Sequence, residues 1–301
     1  MGRALAKLVT LACLWLFGSA AAGQGQITVT DDDGLPVSLA RPATRIVSLA
    51  PSLTELLYAA GAGAALVAVV EYSDFPAAAR ELPVVGRHDR LDMETILTLQ
   101  PDLVVAWQSG NPRNAVNRLR ELGLTVYVAE PKSLSSIPDL LEALAELAGT
   151  TADAAPIAAT LRDRQQALAN RYGALPPVRV FYQVWDNPLI TAGGNELIND
   201  IISLCGGSNL FADIGLLAPK VSVEAVLARD PEVIIASGMD VARPQWLDQW
   251  LQWPSLTAVQ RGQLHFIPPD LLQRHTPRAL DGAVMMCDQI EAARQAAEIP
   301  D

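Results

Sequence analysis

Cysteine and histidine are both scarce in this chain, whose 301 residues hold three of each. His88, His265 and His275 stand far apart, so there is no H-E-x-x-H zinc helix, and the lack of any C-x-x-C removes a thioredoxin-like redox pair. A G-x-S-x-G nucleophile elbow and a phosphate-cradling G-x-x-x-x-G-K are missing too. The stretch "GAGAAL" from Gly61 follows a helical pattern rather than a strand, which disqualifies it as a dinucleotide loop. A hydrolase needs a nucleophile beside a base, and no such grouping emerges. Binding is therefore expected rather than catalysis.

Positive charge is also in short supply, with 22 Lys and Arg against 33 Asp and Glu for a net charge of −11. Such a surface repels nucleic acid and anionic membranes and suits a partner that offers positive charge. Half of the residues are hydrophobic, which is ample for a core and outside the disordered regime. A long apolar run occurs only at the start, from Leu8 to Phe17. It is too short for the roughly 20 residues of a membrane-spanning helix. With Arg3 and Lys7 before it and Ala20-Ala21-Ala22 after it, it reads as a secretory signal peptide over 1–22, cleaved before Gly23. Lipid attachment at Cys13, in "TLAC", is disfavoured because it would cut the apolar region very early. Processing leaves Cys205 and Cys287, which in an oxidising compartment read as one structural disulfide, two separate buried thiols being the alternative.

Strands alternate with helices along the rest. "ITVTDDDGLPVSL" predicts a hairpin with its turn at Asp-Asp-Gly. "RIVSLAPS" predicts a buried strand ending at Pro51, followed by a helix that Ser52 caps with Glu55 in capping-box position and that stops at Gly61. Further strand and helix patterns follow to about residue 150, which defines an α/β lobe over 23–150 with a parallel sheet. Residues 151–175 then read as one long Ala-rich helix of roughly 30 Å, with Ile157, Leu161, Leu168 and Tyr172 on one face. A second α/β lobe occupies 176–301. In its Trp-bearing helix, Trp246, Trp250 and Trp253 recur at packing spacing.

One unit is written twice, 130 residues apart: "LDMETILTLQPDLVVAW" from Leu91 and "VSVEAVLARDPEVIIAS" from Val221. Asp92 and Ser222 are both N-cap types, Pro101 and Pro231 both stop the helix, and Glu94 and Glu224 occupy the same place. Chance likeness between helix–strand units is the alternative to a pseudo-symmetric pair of lobes. In open α/β sheets ligands bind outside the carboxyl ends of the strands. Those ends supply Pro51, Tyr72, Trp107, Trp185 and Asp270, with His88 in the long first-lobe loop. An aromatic lining with few charges suits a large, flat or amphipathic small molecule.

"RIVSLAPSLTELLYAAG", "EYSDFP", "PDLVVAW" followed by Gly110-Asn111, and "VSVEAVLAR" resemble the periplasmic vitamin B12-binding proteins. These belong to a group of ABC-transporter substrate-binding proteins that also carries haem and ferric siderophores. The resemblance runs through essentially the whole mature chain and implies two α/β lobes with mainly parallel sheets bridged by one helix. It implies a periplasmic, monomeric binding protein, not an enzyme, that captures cobalamin or another corrinoid and delivers it to an ABC permease. A haem or ferric-siderophore carrier is the alternative, and an enzyme acting on a tetrapyrrole a remote one. By position, Tyr72 and Trp107 match corrin-contacting aromatics and Asp270 a polar ligand contact. Cys205 and Cys287 match the group's disulfide, and Glu94 and Glu224 match glutamates that dock into arginine pockets of the permease. The chain departs from the pattern where His88 and Ala218 stand in place of tryptophans, and where Leu271 and Leu272 follow the aspartate. Trp185 is expected to compensate, and a crevice-facing histidine favours a metal-centred ligand.

Overall fold

The computed structural model describes residues 26–238 and 242–298; the expected signal peptide, Cys13 and the expected cleavage site before Gly23 lie outside the described residues. The chain opens with a hairpin of β1 (Ile27–Thr30) and β2 (Pro36–Leu39), turned at a Gly34 whose φ of 76° needs no Cβ to be accommodated. It continues through β3 (Ile46–Ser48), α1 (Pro51–Ala59), β4 (Leu66–Ala68), a two-residue ribbon β5 (Gly86–Arg87) and β6 (Arg90–Leu91), and α2 (Met93–Thr98). Then come β7 (Leu103–Trp107), α3 (Arg113–Glu121), β8 (Val126–Ala129) and α4 (Ser136–Ala148). Strands β4-β3-β7-β8 form an all-parallel sheet, with Ile46 opposite Leu103 and Val104 opposite Val126. Buried on both faces, these strands are continuous apolar runs, as a helix-covered parallel sheet requires.

The linking helix α5 (Thr151–Tyr172) starts where expected and ends three residues short of 175, with Pro156 in its second turn. Its buried line is Ala154, Ala158, Leu161 and Tyr172, whereas Ile157 is exposed. The buried face thus mixes the small Ala154 and Ala158 with Leu161 and Tyr172, and the equally large Ile157 falls outside it. The second half comprises β9 (Val178–Asp186), β10 (Leu189–Thr191), α6 (Leu197–Leu204), β11 (Gly207–Asn209), α7 (Val223–Arg229) and β12 (Val233–Ala236). A 3₁₀ segment (Gln245–Gln252), α8 (Thr257–Gln260), β13 (Leu264–Phe266), α9 (Pro269–Leu272) and α10 (Ala279–Glu298) complete it. Its sheet runs β10-β9-β12-β13 with β11 also on β9, and only β10 is antiparallel. Cys205, at the end of α6, is bonded to Cys287 on α10. Trp250 is buried, edge-on to Phe181 at 5.5 Å, with its indole N–H donated to Gln183. The Trp-bearing segment is packing, although its helix is 3₁₀ rather than α.

Helix α1 begins two residues earlier than the sequence suggests. Pro51 takes the first position, where its fixed φ and missing N–H fit, and Ala50 is the N-cap without a side-chain bond. Ser52 is no cap, and Glu55 is instead turned to the other lobe, where Thr276 and Arg278 donate to its carboxylate.

The doubled unit is a true structural repeat. Asp92 and Ser222 each accept from the N–H three residues on, at 3.0 and 3.2 Å. Gln100 and Asp230 both take positive φ, 46° and 42°, to turn the chain into the proline. The acid after each proline, Asp102 or Glu232, accepts from the backbone N–H of Arg45 or Arg179, and the guanidinium of each arginine reaches back to the end of α2 or α7.

Candidate functional site

The crevice consists of two adjoining cavities of about 290 and 320 Å³ between the lobes, which meet at Trp107, Pro131, Gln273 and His275. Trp107 ends β7, so its side chain emerges where the sheet stops. Its position is fixed by its neighbours in sequence. A Cβ on Gly110 would lie 1.8 Å from the Trp107 ring, so the indole rests on bare backbone there. Asn111, only 5% exposed, accepts from the Trp107 N–H at 2.6 Å and donates to the Leu49 and His88 carbonyls at 2.9 and 2.7 Å. One amide thus ties the β7 terminus, the approach to α1 and the β5–β6 turn together. The His88 ring sits 5.8 Å from the Trp107 ring, tilted by 48°.

Pro51, Tyr72, His88, Trp107 and Asp270, named from the sequence, all line the larger cavity. Tyr72 is 69% exposed and holds φ at 66°, a strained conformation for an aromatic residue that recurs at ligand clamps. Trp185 does not join them. Strand β9 does not stop before Trp185 but continues through Asp186, so Trp185 is paired with Ile190 in the hairpin and donates to the Asn187 carbonyl, while its neighbour Val184 lines the smaller cavity. Alternation along the extended strand places the two on opposite sides. Ala218 lines the smaller cavity, whereas Leu272 is fully buried in the core and neither Leu271 nor Leu272 lines either cavity.

Asp270 is not a free carboxylate. Arg274 lies 3.2 Å from it and 2.6 Å from Asp74 of the other lobe. Burial alone would raise the Asp74 carboxyl, but the hydrogen bond and charge of Arg274 more than reverse this and hold it below the usual carboxylate range. Beside this pair, both carboxylate oxygens of Glu55, 3% exposed, accept from Arg278 at 2.7 Å, and the Arg278 guanidinium lies 4.0 Å above the Phe75 ring. The Glu55 hydrogen bond raises the Arg278 pKa against the desolvation that would lower it. Close to the smaller cavity, whose lining includes the nearby Lys132 and Ile198, Asp200 of α6 accepts from the Leu134 N–H at 2.8 Å, so the lobes are tied on that side as well. The residues that sequence reading missed are Gln273, Arg274 and His275, whose only signal was adjacency to Asp270, while Asn111 was quoted only as part of the resemblance and given no role.

Glu94 and Glu224 lie outside the crevice, exposed in the first turns of α2 and α7 with the same sequence of buried and exposed neighbours. The backbone N–H of Glu224 and the Ser222 hydroxyl hold the Glu224 carboxyl below the usual range.

With this geometry established, comparison with known proteins decides the lineage: a periplasmic binding protein family model matches residues 46–271. The chain belongs to the periplasmic binding protein family. A vitamin B12-binding protein of Vibrio cholerae is 42% identical over 255 residues, covering 84% of this chain and 91% of that protein. One from Yersinia pestis is 37% identical over 255 residues, covering 83% and 88%. Among solved structures, the periplasmic vitamin B12-binding protein of Vibrio cholerae superposes with a TM-score of 0.78 at 41% identity, covering 84% of this chain and 99% of that one. A periplasmic haem-binding protein from Pseudomonas aeruginosa gives 0.72 at 25% identity, covering 82% and 92%. The two-lobed architecture of this periplasmic binding protein is thus that of its relatives.

Proposed function

We propose that this protein captures cobalamin or a related corrinoid between its lobes in the periplasm and delivers it to an ABC-transporter permease. The observation that carries the reading is the crevice itself: Trp107, Tyr72 and Pro51 offer an aromatic and apolar wall, and Asp270, Arg274 and Gln273 offer polar groups opposite. A corrinoid has flat apolar faces and an amide-bearing rim, and that division of surfaces matches. The vitamin B12-binding names of the relatives support the same class. Residues 1–22 serve for export, the ligand is cargo, and no resident cofactor or turnover is involved. Glu94 and Glu224 are handles for positively charged pockets on the permease, one on each lobe.

Haem is the second reading, favoured by two histidines in the crevice and by the haem-binding neighbour. Titration of the mature protein with cyanocobalamin, cobinamide and haem, followed by tryptophan fluorescence and calorimetry, separates the two. Tight haem binding without response to either corrinoid would overturn the corrinoid reading.

A further inference from the structure

His88 and His275 both line the crevice, but His275 alone lies where its two cavities meet. Its backbone is held on both sides, by Arg274 paired with Asp74 and Asp270, and by buried Thr276 bonded to Glu55. Its ring is held as well, since Nε2 lies 3.2 Å from Oε1 of Glu196. Glu196 cannot readily turn away, because its other oxygen, Oε2, accepts the Ile198 N–H at 2.6 Å as the N-cap of α6. A carboxylate on Nε2–H fixes the tautomer that leaves a lone pair on Nδ1 and raises its basicity, the arrangement in which histidine binds metals. Among the described residues, Nδ1 of His275 forms no hydrogen bond.

We infer that His275 Nδ1 takes an axial position on the metal of the bound macrocycle, so that the protein prefers corrinoids whose axial site carries an exchangeable water. This rests on the corrinoid reading above. The step is a ligand exchange: the Nδ1 lone pair forms a bond to cobalt and the bound water leaves. No electron is transferred, and Glu196 retains the Nε2 proton as its hydrogen-bond donor.

The test uses the mature protein with diaquocobinamide, and with cyanocobalamin as the axially blocked control, reading visible absorption and tryptophan fluorescence together. On binding, the diaquocobinamide bands are expected to move to the positions produced by free imidazole, while those of cyanocobalamin stay in place. In His275→Ala the bands of bound diaquocobinamide should remain those of the water-ligated form and affinity should fall at least about tenfold; Glu196→Gln should weaken binding about tenfold with the band shift retained. Binding with unshifted bands in the unmodified protein would overturn the axial role and leave the corrinoid reading standing. A shift that survives in His275→Ala places the nitrogen elsewhere and also overturns it. Absence of any fluorescence response to either corrinoid overturns the inference together with the reading beneath it.

Discussion

Gly110 leaves no room for even a methyl group beneath the Trp107 ring, with a built Cβ at 1.8 Å. Gly110→Ala should therefore tilt the indole or shift the β7 terminus. Losing one well-placed aromatic contact costs about 1 to 1.5 kcal/mol, so corrinoid affinity should drop about tenfold. Fluorescence titration checks this, and unchanged affinity would show that Trp107 does not pack on the ligand. Much of the lining was legible at this scale. Tyr72, His88, Trp107 and Asp270 were found because each follows a strand or sits in a loop at the carboxyl edge of a sheet. Trp185 misled because its strand continues into a hairpin, and no local signal marks that continuation. Arg274 and His275 were missed because their partners, Asp74 and Glu196, are 200 and 79 residues away in sequence.

The repeated helix–strand unit was the most legible element because every feature in it is local: an N-cap, a first-turn glutamate, a proline stop and an apolar strand. The bonds from Asp102 and Glu232 to the neighbouring strand add a non-local equivalence that chance patterning would not produce. By contrast, the cap assigned to Ser52 failed because Glu55 finds a stronger partner in Arg278 than in a backbone N–H. The matched exposure of Glu94 and Glu224 leads to a prediction at this scale. Reversal of both charges, Glu94→Arg with Glu224→Arg, should abolish uptake in a transport assay while ligand affinity stays within about twofold, since exposed first-turn charges contribute little to the fold. A parallel loss of affinity would refute the division between handle and pocket. The disulfide leads to another. It joins residues separated by 82 positions, and closing such a loop is worth about 4 to 5 kcal/mol in the chain-entropy account. Cys205→Ala with Cys287→Ala should thus lower unfolding stability by roughly that amount in a denaturant titration, a large share of the about 5 to 15 kcal/mol typical of folded proteins.

Across the whole molecule, the two lobes are held by more than α5. Glu55 with Arg278 and Thr276, Asp74 with Arg274, and Asp200 with the Leu134 N–H tie them at both sides of the crevice. A frame braced in this way should change little on binding ligand, so the radius of gyration from small-angle scattering is expected to be the same with and without corrinoid. Removing the buried member tests the brace. Glu55→Ala leaves Arg278 without its counter-charge and should cost roughly 3 kcal/mol of stability. It should also allow ligand to escape several times faster. Acid should act on the more exposed tie. Because the folded-state pKa of Asp74 is depressed, its contribution is fully present above the ordinary value of about 4 and is lost as pH falls through the lower folded one. Lobe spacing should consequently be constant from about pH 7 to about pH 5 and widen only below about pH 4. Asp74→Asn should give the wider spacing at neutral pH without further change on acidification. If the spacing instead stayed constant as pH fell through about 4, the Asp74–Arg274 pair would not be the tie that sets it.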